Sequence, residues 1–340
     1  MKIAHWLLGI CLLIFLMVVI GGMTRLTGSG LSMVDWHPAT GFIPPLTEAH
    51  WQELFDSYKK FPQFLKLNQH MDLADFKGIF WLEFIHRVLG RIIGLAFLLP
   101  FLYFLLRGMI SKSLAPKLII MFILGGLQGV LGWYMVQSGL VNDPHVSQYR
   151  LTAHLMLAVA IYSYALWVAL DLLAEEKPAT GYTMDVDKLT GKSLLLLLLV
   201  VITMVSGGFV AGLKAGLIYN TFPLMGDTLI APGVYGLSPW YLSALEDAVT
   251  VQFNHRLLAL TCFFLIVAFY FYSRKLDLPS RTRALLNLAL AASIVQVGLG
   301  VSTLLLRVPV VLGASHQAGA MILLSSLLLL VHHLKNTKPV

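Results

Sequence analysis

The sequence predicts an all-α membrane protein with eight transmembrane helices, arranged as two pseudo-symmetric four-helix bundles. Three observations predict it. First, of 340 residues 58% are hydrophobic and only 12% charged, with mean hydropathy +0.79, whereas a soluble domain carries roughly 25% charged residues. Second, the apolar residues gather into eight runs, each long enough to cross ~30 Å of hydrocarbon at ~1.5 Å per residue. Third, the motifs of the first half recur in the second. Backbone polar groups in lipid must be satisfied internally, so the runs are helices. The net charge of +7 then reads as a topology signal, and no nucleic acid is implied.

The first run, about 6–25, follows Lys2 and lacks an A-x-A-like site after it, so it reads as a retained span rather than a cleaved signal peptide. Its exit reads G-G-M-T-R-L-T-G-S-G-L from Gly21 to Leu31. A long outer segment, 26–78, leads to the second span, 79–106, which carries E-F-I-H-R from Glu83 to Arg87. The third span, 116–137, contains Gln128-x-x-Leu131-Gly132, and the fourth, 151–174, contains His154. Residues 175–192 read as a cytoplasmic linker. The fifth span, 193–213, ends in G-G-F-V-A-G-L-K-A-G-L from Gly207 to Leu217, sharing the leading Gly-Gly and closing Gly-Leu with the first exit. After a second outer segment, 214–248, the sixth span, 249–272, carries Q-F-N-H-R from Gln252 to Arg256. The seventh, 284–306, repeats Gln296-x-x-Leu299-Gly300, and the eighth, 314–333, carries His316. Beyond the spans, Trp36-His37-Pro38 corresponds to Thr221-Phe222-Pro223 with one residue deleted.

The expected domains are therefore 1–174 and 193–340. Lys2, Arg107, Lys112, Lys117, Lys177, Lys188, Lys192, Arg274, Lys275, Arg281, Arg283, Lys335 and Lys338 collect on one side. That side should be cytoplasmic, with both termini inside. Both halves start inside, so the repeat is parallel. His86, His154, His255 and His316 then all lie near the outer ends of their helices.

Four histidines at matched positions suggest two irons, each held from both faces, since neutral imidazole is a good axial ligand of haem iron. Within each half the pairs are His86 with His154 and His255 with His316; the alternative, pairing across the halves, needs a less local geometry. Zinc would more usually recruit Cys, Asp or Glu alongside. Cys11 and Cys262 lie in apolar runs and there is no C-x-x-C-H, so any haem is bound non-covalently. The other histidines read as surface residues, with His332 and His333 at the inner end unassigned.

Glu83 is an acid inside a span, three residues before His86, and such acids are functional by default. A rim carboxylate paired to Arg87 or Arg91 is the alternative. Its repeat partner, Gln252, is neutral, and Thr24, Arg25 and Thr27 correspond to Val210, Ala211 and Leu213. The first site should do chemistry, and the second should store or relay an electron. Arg25, Arg87, Arg91 and Arg256 either meet haem propionates or snorkel to headgroups. Trp36, Trp51, Trp133 and Trp240 fit an interfacial aromatic belt. Gly125, Gly126 and Gly129 suit close helix packing.

The stretch Gly21–Met33, the loop I-P-P-L with Trp51 after it, F-K-G-I-F-W-L-E-F-I-H-R-V-L-G-R from Phe76 to Arg91, and the later N-H-R and S-H-Q resemble haem A synthase over essentially all eight spans. No cysteine occurs between residues 26 and 78, as in the bacterial and mitochondrial branch without paired cysteines in the first outer loop. Gln63 departs from the family, which often has Glu there. The resemblance implies an oxidoreductase acting on a CH group in haem A biosynthesis and cytochrome c oxidase assembly. It would convert a ring methyl of the substrate haem O to a formyl group by two hydroxylations and loss of water. His86 and His154 would bind the substrate haem, His255 and His316 a bis-histidine haem b, and Glu83 would be the catalytic acid. Haem b would pass electrons between the site and an unidentified donor or acceptor. Haem O synthase is the implied partner, the bacterial inner (plasma) membrane the implied location, and a homo-oligomer is left open. Two rivals remain from the residues alone. A di-haem b-type cytochrome for quinol electron transfer explains the histidines but does not require Glu83 in one half only. A transporter or haem-delivery protein suits a parallel repeat but would place its site nearer the midplane.

Overall fold

The computed structural model describes residues 2–34, 41–141, 144–174 and 185–336. Trp36, His37, Lys177, Lys338 and most of the expected linker lie outside the described residues. The helices in chain order are α1 (Lys2–Leu26), α2 (Glu48–Tyr58), α3 (Pro62–Leu67), α4 (Leu73–Leu106), α5 (Ala115–Leu140), α6 (Gln148–Ala174), α7 (Asp185–Gly212), α8 (Ser243–Glu246), α9 (Ala248–Ser273), α10 (Ser280–Leu305) and α11 (Val310–Lys335). Eight of them, α1, α4–α7 and α9–α11, are long and apolar enough to cross a membrane. The protein is an all-α membrane protein. Each span sits where the apolar runs predict it, with ends displaced by up to eight residues; α7 begins at Asp185, inside the expected 175–192 linker.

Those displacements have local causes. α4 starts at Leu73, earlier than its apolar run, because Asp72 and Asp75 form a reciprocal capping box. Asp247 caps α9 by accepting from the Thr250 N–H at 2.8 Å. At the end of α1, Thr24 and Thr27 bond back to the Ile20 and Met23 carbonyls, each at 2.9 Å. The chain then turns through Gly28 at φ +69° into a 3₁₀ turn, Ser29–Leu31.

The described residues form two compact units, Gly9–Ala165 and Leu166–Val340 together with Met1–Leu8. In the second, α7 packs on α9, α9 on α10, α10 on α11, and α11 back on α7, closing a four-helix bundle. In the first, α1 meets α4 where Gly21 lies under His86 and Gly90 under Met17. Phe97 of α4 stacks on Phe122 of α5 at 6.3 Å, α5 meets α6 at Gly132 and His154, and the Cys11 thiol of α1 approaches the Tyr162 carbonyl of α6. These spans approach one another less closely than those of the second unit.

The outer segment folds rather than crossing as bare loop. Thr47 caps α2 and Pro62 starts α3. Their aromatic side chains join α4 in one buried cluster of Trp51, Phe55, Tyr58, Phe76, Phe80 and Phe84. Trp51 is therefore not an interfacial belt residue. It is buried, edge-on to Phe80 at 4.9 Å, because the cap gives it a dry surface to cover. Trp133 and Trp240 are exposed, as a belt position requires. Gly125, Gly126 and Gly129 also differ from expectation: nothing lies within 4 Å of a side chain there, so they do not mediate close packing.

Candidate functional site

Each unit holds one of the histidine pairs that the repeat suggests, His86 with His154 in the first and His255 with His316 in the second. In the second, the rings of His255 and His316 have centroids 6.5 Å apart and planes at 89°. With a metal–imidazole bond of about 2 Å on each side and ring centres roughly 1 Å behind each nitrogen, an iron between two histidines separates the ring centres by roughly 6 Å. That spacing matches the His255–His316 pair. All four residues are half-buried, enclosed by helices while keeping some exposed surface.

Each imidazole rests on a glycine of the preceding span. An added Cβ would sit 3.1 Å from His86 at Gly21, 2.9 Å from His154 at Gly132, 3.2 Å from His255 at Gly207 and 2.9 Å from His316 at Gly300. Gly21 and Gly207 are repeat partners, as are Gly132 and Gly300. The sequence showed both matches; their spatial meaning needed the fold.

The donor set fits haem. Each site offers two imidazoles, and among the described residues no three of His, Cys, Asp or Glu gather as a closed zinc site would need. His154 Nδ1 is buried without a hydrogen-bond partner. Such orphaned ring atoms are costly in a core unless the site serves a ligand.

Beside the first pair, Glu83 is buried and its carboxylate is fully engaged. Oε2 accepts from the Ser32 hydroxyl at 2.7 Å and the Met33 N–H at 2.8 Å. Oε1 accepts from Arg87 at 2.5 Å, and Arg87 also donates to the Met33 carbonyl at 2.7 Å. Glu83 and Arg87 thus clamp the exit of α1 onto α4. The repeat position is built alike with the polarity reversed. Gln252 donates to the Tyr219 carbonyl at 3.0 Å, and Arg256 donates to the same oxygen at 2.8 Å and to the Thr221 and Leu224 carbonyls. Met33 and Tyr219 are repeat partners. Arg91 lies over the Phe42 ring at 5.5 Å, and Arg25 closes the last turn of α1.

Gln63, noted in the sequence only as a departure from the family, lies in α3. It is buried, accepts from the Tyr58 hydroxyl at 3.0 Å and donates to the Gly28 carbonyl at 2.7 Å, tying the aromatic cap to the α1 exit. His332 and His333, unassigned before, are also engaged: His332 Nε2 lies 2.9 Å from Asp171, and His333 Nε2 lies 3.1 Å from the Thr282 hydroxyl. His5, His50, His70 and His145 are exposed.

A family model described as cytochrome oxidase assembly protein, COX15-CtaA, matches residues 4–328. The chain is 51% identical to a Heme A synthase of Nitrosospira multiformis over 98% of this chain and 93% of that protein. It is 45% identical to Heme A synthase COX15 of Arabidopsis thaliana over 98% of this chain and 75% of that protein. A Heme A synthase of Flavobacterium psychrophilum is 44% identical over 96% of each chain.

Proposed function

The chain belongs to the COX15-CtaA family of cytochrome oxidase assembly proteins, and from that premise we propose that it is a haem A synthase, oxidising a ring methyl of haem O to a formyl group. The observation that carries this reading is the unequal surroundings of two matched histidine pairs: a buried, clamped carboxylate beside His86 and a neutral amide beside His255.

In this reading 1–174 holds the substrate haem O between His86 and His154, and 193–340 holds haem b between His255 and His316. When bound, haem b supplies one-electron redox chemistry. The oxygen atom and the final electron acceptor come from outside the protein, and its own residues position the ring and move protons. Glu83 exchanges the protons that leave the methyl carbon as it is oxidised, and the Ser32 hydroxyl at 2.7 Å is its nearest relay. Arg87 supplies the counter-charge that makes an acid tolerable inside a span. The helices and the aromatic cap of α2 and α3 keep bulk water from the carboxylate. Arg25, Arg87, Arg91 and Arg256 are the cations for haem propionates; Arg256 Nε is buried with no partner of its own.

The enzyme is an oxidoreductase acting on a CH group. Basic residues between the spans favour cytoplasmic termini, and the family resemblance favours a bacterial inner membrane. Haem O synthase as supplier and an unidentified electron donor or acceptor complete the proposal. Pigment extraction from the purified protein tests it. Haem O or haem A alongside haem b is expected, and Glu83→Ala should abolish haem A formation in cells supplied with haem O. Haem b alone would favour a di-haem cytochrome instead, and undiminished haem A output in Glu83→Ala would remove Glu83 from the mechanism.

A further inference from the structure

Two hydrogen bonds meet on the Ser206 hydroxyl in α7. Its oxygen lies 2.8 Å from His255 Nδ1 and 2.7 Å from the Thr203 carbonyl oxygen, three residues earlier. A hydroxyl has one proton to give and two lone pairs, and a carbonyl only accepts. Ser206 therefore donates to Thr203 and receives from His255 Nδ1. This assigns the ring proton to Nδ1 and leaves the lone pair on Nε2, the form in which imidazole binds a metal.

The other ligands lack this arrangement. Ser206 precedes Gly207, on which His255 rests; the corresponding residue before Gly21, under His86, is Ile20, whose side chain has no polar atom. His154 Nδ1 is buried without a partner, and His316 bonds to the Gln296 backbone with no hydroxyl between them. The repeat has thus kept the glycine seat on both sides and the hydroxyl on one.

We infer that Ser206 is a positioning residue for His255, holding its ring for ligation through Nε2 and lowering the reduction potential of haem at the His255–His316 pair. The inference rests on the reading of that pair as the haem b site. A hydrogen bond from Nδ1–H draws the proton away from the ring, so Nε2 becomes a stronger donor and the ferric state is favoured. The two matched pairs then differ in potential through one oxygen atom, and that difference biases which haem holds an electron.

The test is a redox titration of the purified full-length protein, followed by visible and electron paramagnetic resonance spectra, with haem content measured beside it. Ser206→Ala should keep its haem while the reduced-to-oxidised ratio of the second-site haem rises by about threefold or more at a fixed ambient potential. Ser206→Thr, which keeps a hydroxyl, should restore the parent ratio. His255→Ala separates the two levels of the argument. If it leaves haem b content unchanged, the assignment of the pair to haem b fails. If it removes haem b while Ser206→Ala leaves the ratio unmoved, the role of Ser206 is overturned. Loss of haem in Ser206→Ala counts for the positioning role when Ser206→Thr reverses it, and against it when Ser206→Thr does not.

Discussion

At the scale of single residues, one absent methyl group decides how closely each candidate ligand approaches the neighbouring helix. An alanine Cβ at Gly132 or Gly300 would lie 2.9 Å from a histidine ring carbon, against 3.1 and 3.2 Å at Gly21 and Gly207. Overpacking of this kind costs about 1–3 kcal/mol, and a displaced ring misses an iron that needs a nitrogen at about 2 Å. Gly300→Ala should therefore weaken haem retention about tenfold at the second pair, and Gly132→Ala should do the same for the substrate haem. Gly125→Ala is the matched control, because nothing lies within 4 Å of that position. The haem-to-protein ratio after purification reads all three, and equal ratios across the set would sink the idea that the glycines seat the ligands.

At the scale of elements, the turn after the first span of each half shows how far the repeat reaches into the backbone. Gly28 and Lys214 are repeat partners, and both adopt the left-handed conformation, at φ +69° and +53°, before a 3₁₀ turn. Glycine takes that conformation freely, whereas a residue with a Cβ meets its own carbonyl there. Lys214→Gly should accordingly stabilise the protein by about 1 kcal/mol, and Gly28→Ala should destabilise it by about as much. Thermal unfolding in detergent measures both, and matching shifts of one sign would refute the argument. The spans were legible in the sequence because lipid imposes one rule on every residue of a run, and the histidine pairs were legible because the repeat showed them twice. Less local features were not. Trp51 reads as an interfacial residue until α2 folds against α4 and buries it on Phe80. Gln63 reads only as a departure from the family until its amide reaches the Gly28 carbonyl, thirty-five residues back along the chain. The capping box of Asp72 and Asp75 was a visible signal, and it moves the start of α4 to Leu73.

At the scale of the whole molecule, the proposed reading gives the repeat one reactive half through a change of polarity on a shared scaffold. The clamp survives on both sides: Arg87 donates to the Met33 carbonyl as Arg256 does to that of Tyr219. What differs is the residue three before each histidine and the lining near it. Glu83→Gln removes the charge and keeps the shape, so both haems should be retained while haem A output falls about a hundredfold or more, the usual worth of a lost proton-transfer group. Gln252→Glu asks the converse question. Repeat equivalence offers the new carboxylate the Tyr219 N–H and Arg256, counterparts of two of the groups that hold Glu83, so the variant should fold and keep its haems. It should nevertheless gain no activity, because Ile218 stands where Ser32 donates to Glu83, and Val210 and Ala211 stand where the first half has Thr24 and Arg25. In the double variant Glu83→Gln with Gln252→Glu, haem A output should stay at the level of Glu83→Gln alone. Recovery of output there would mean that an acid beside a ligand pair is sufficient, and that the hydroxyl and cation around Glu83 contribute nothing to the difference between the halves.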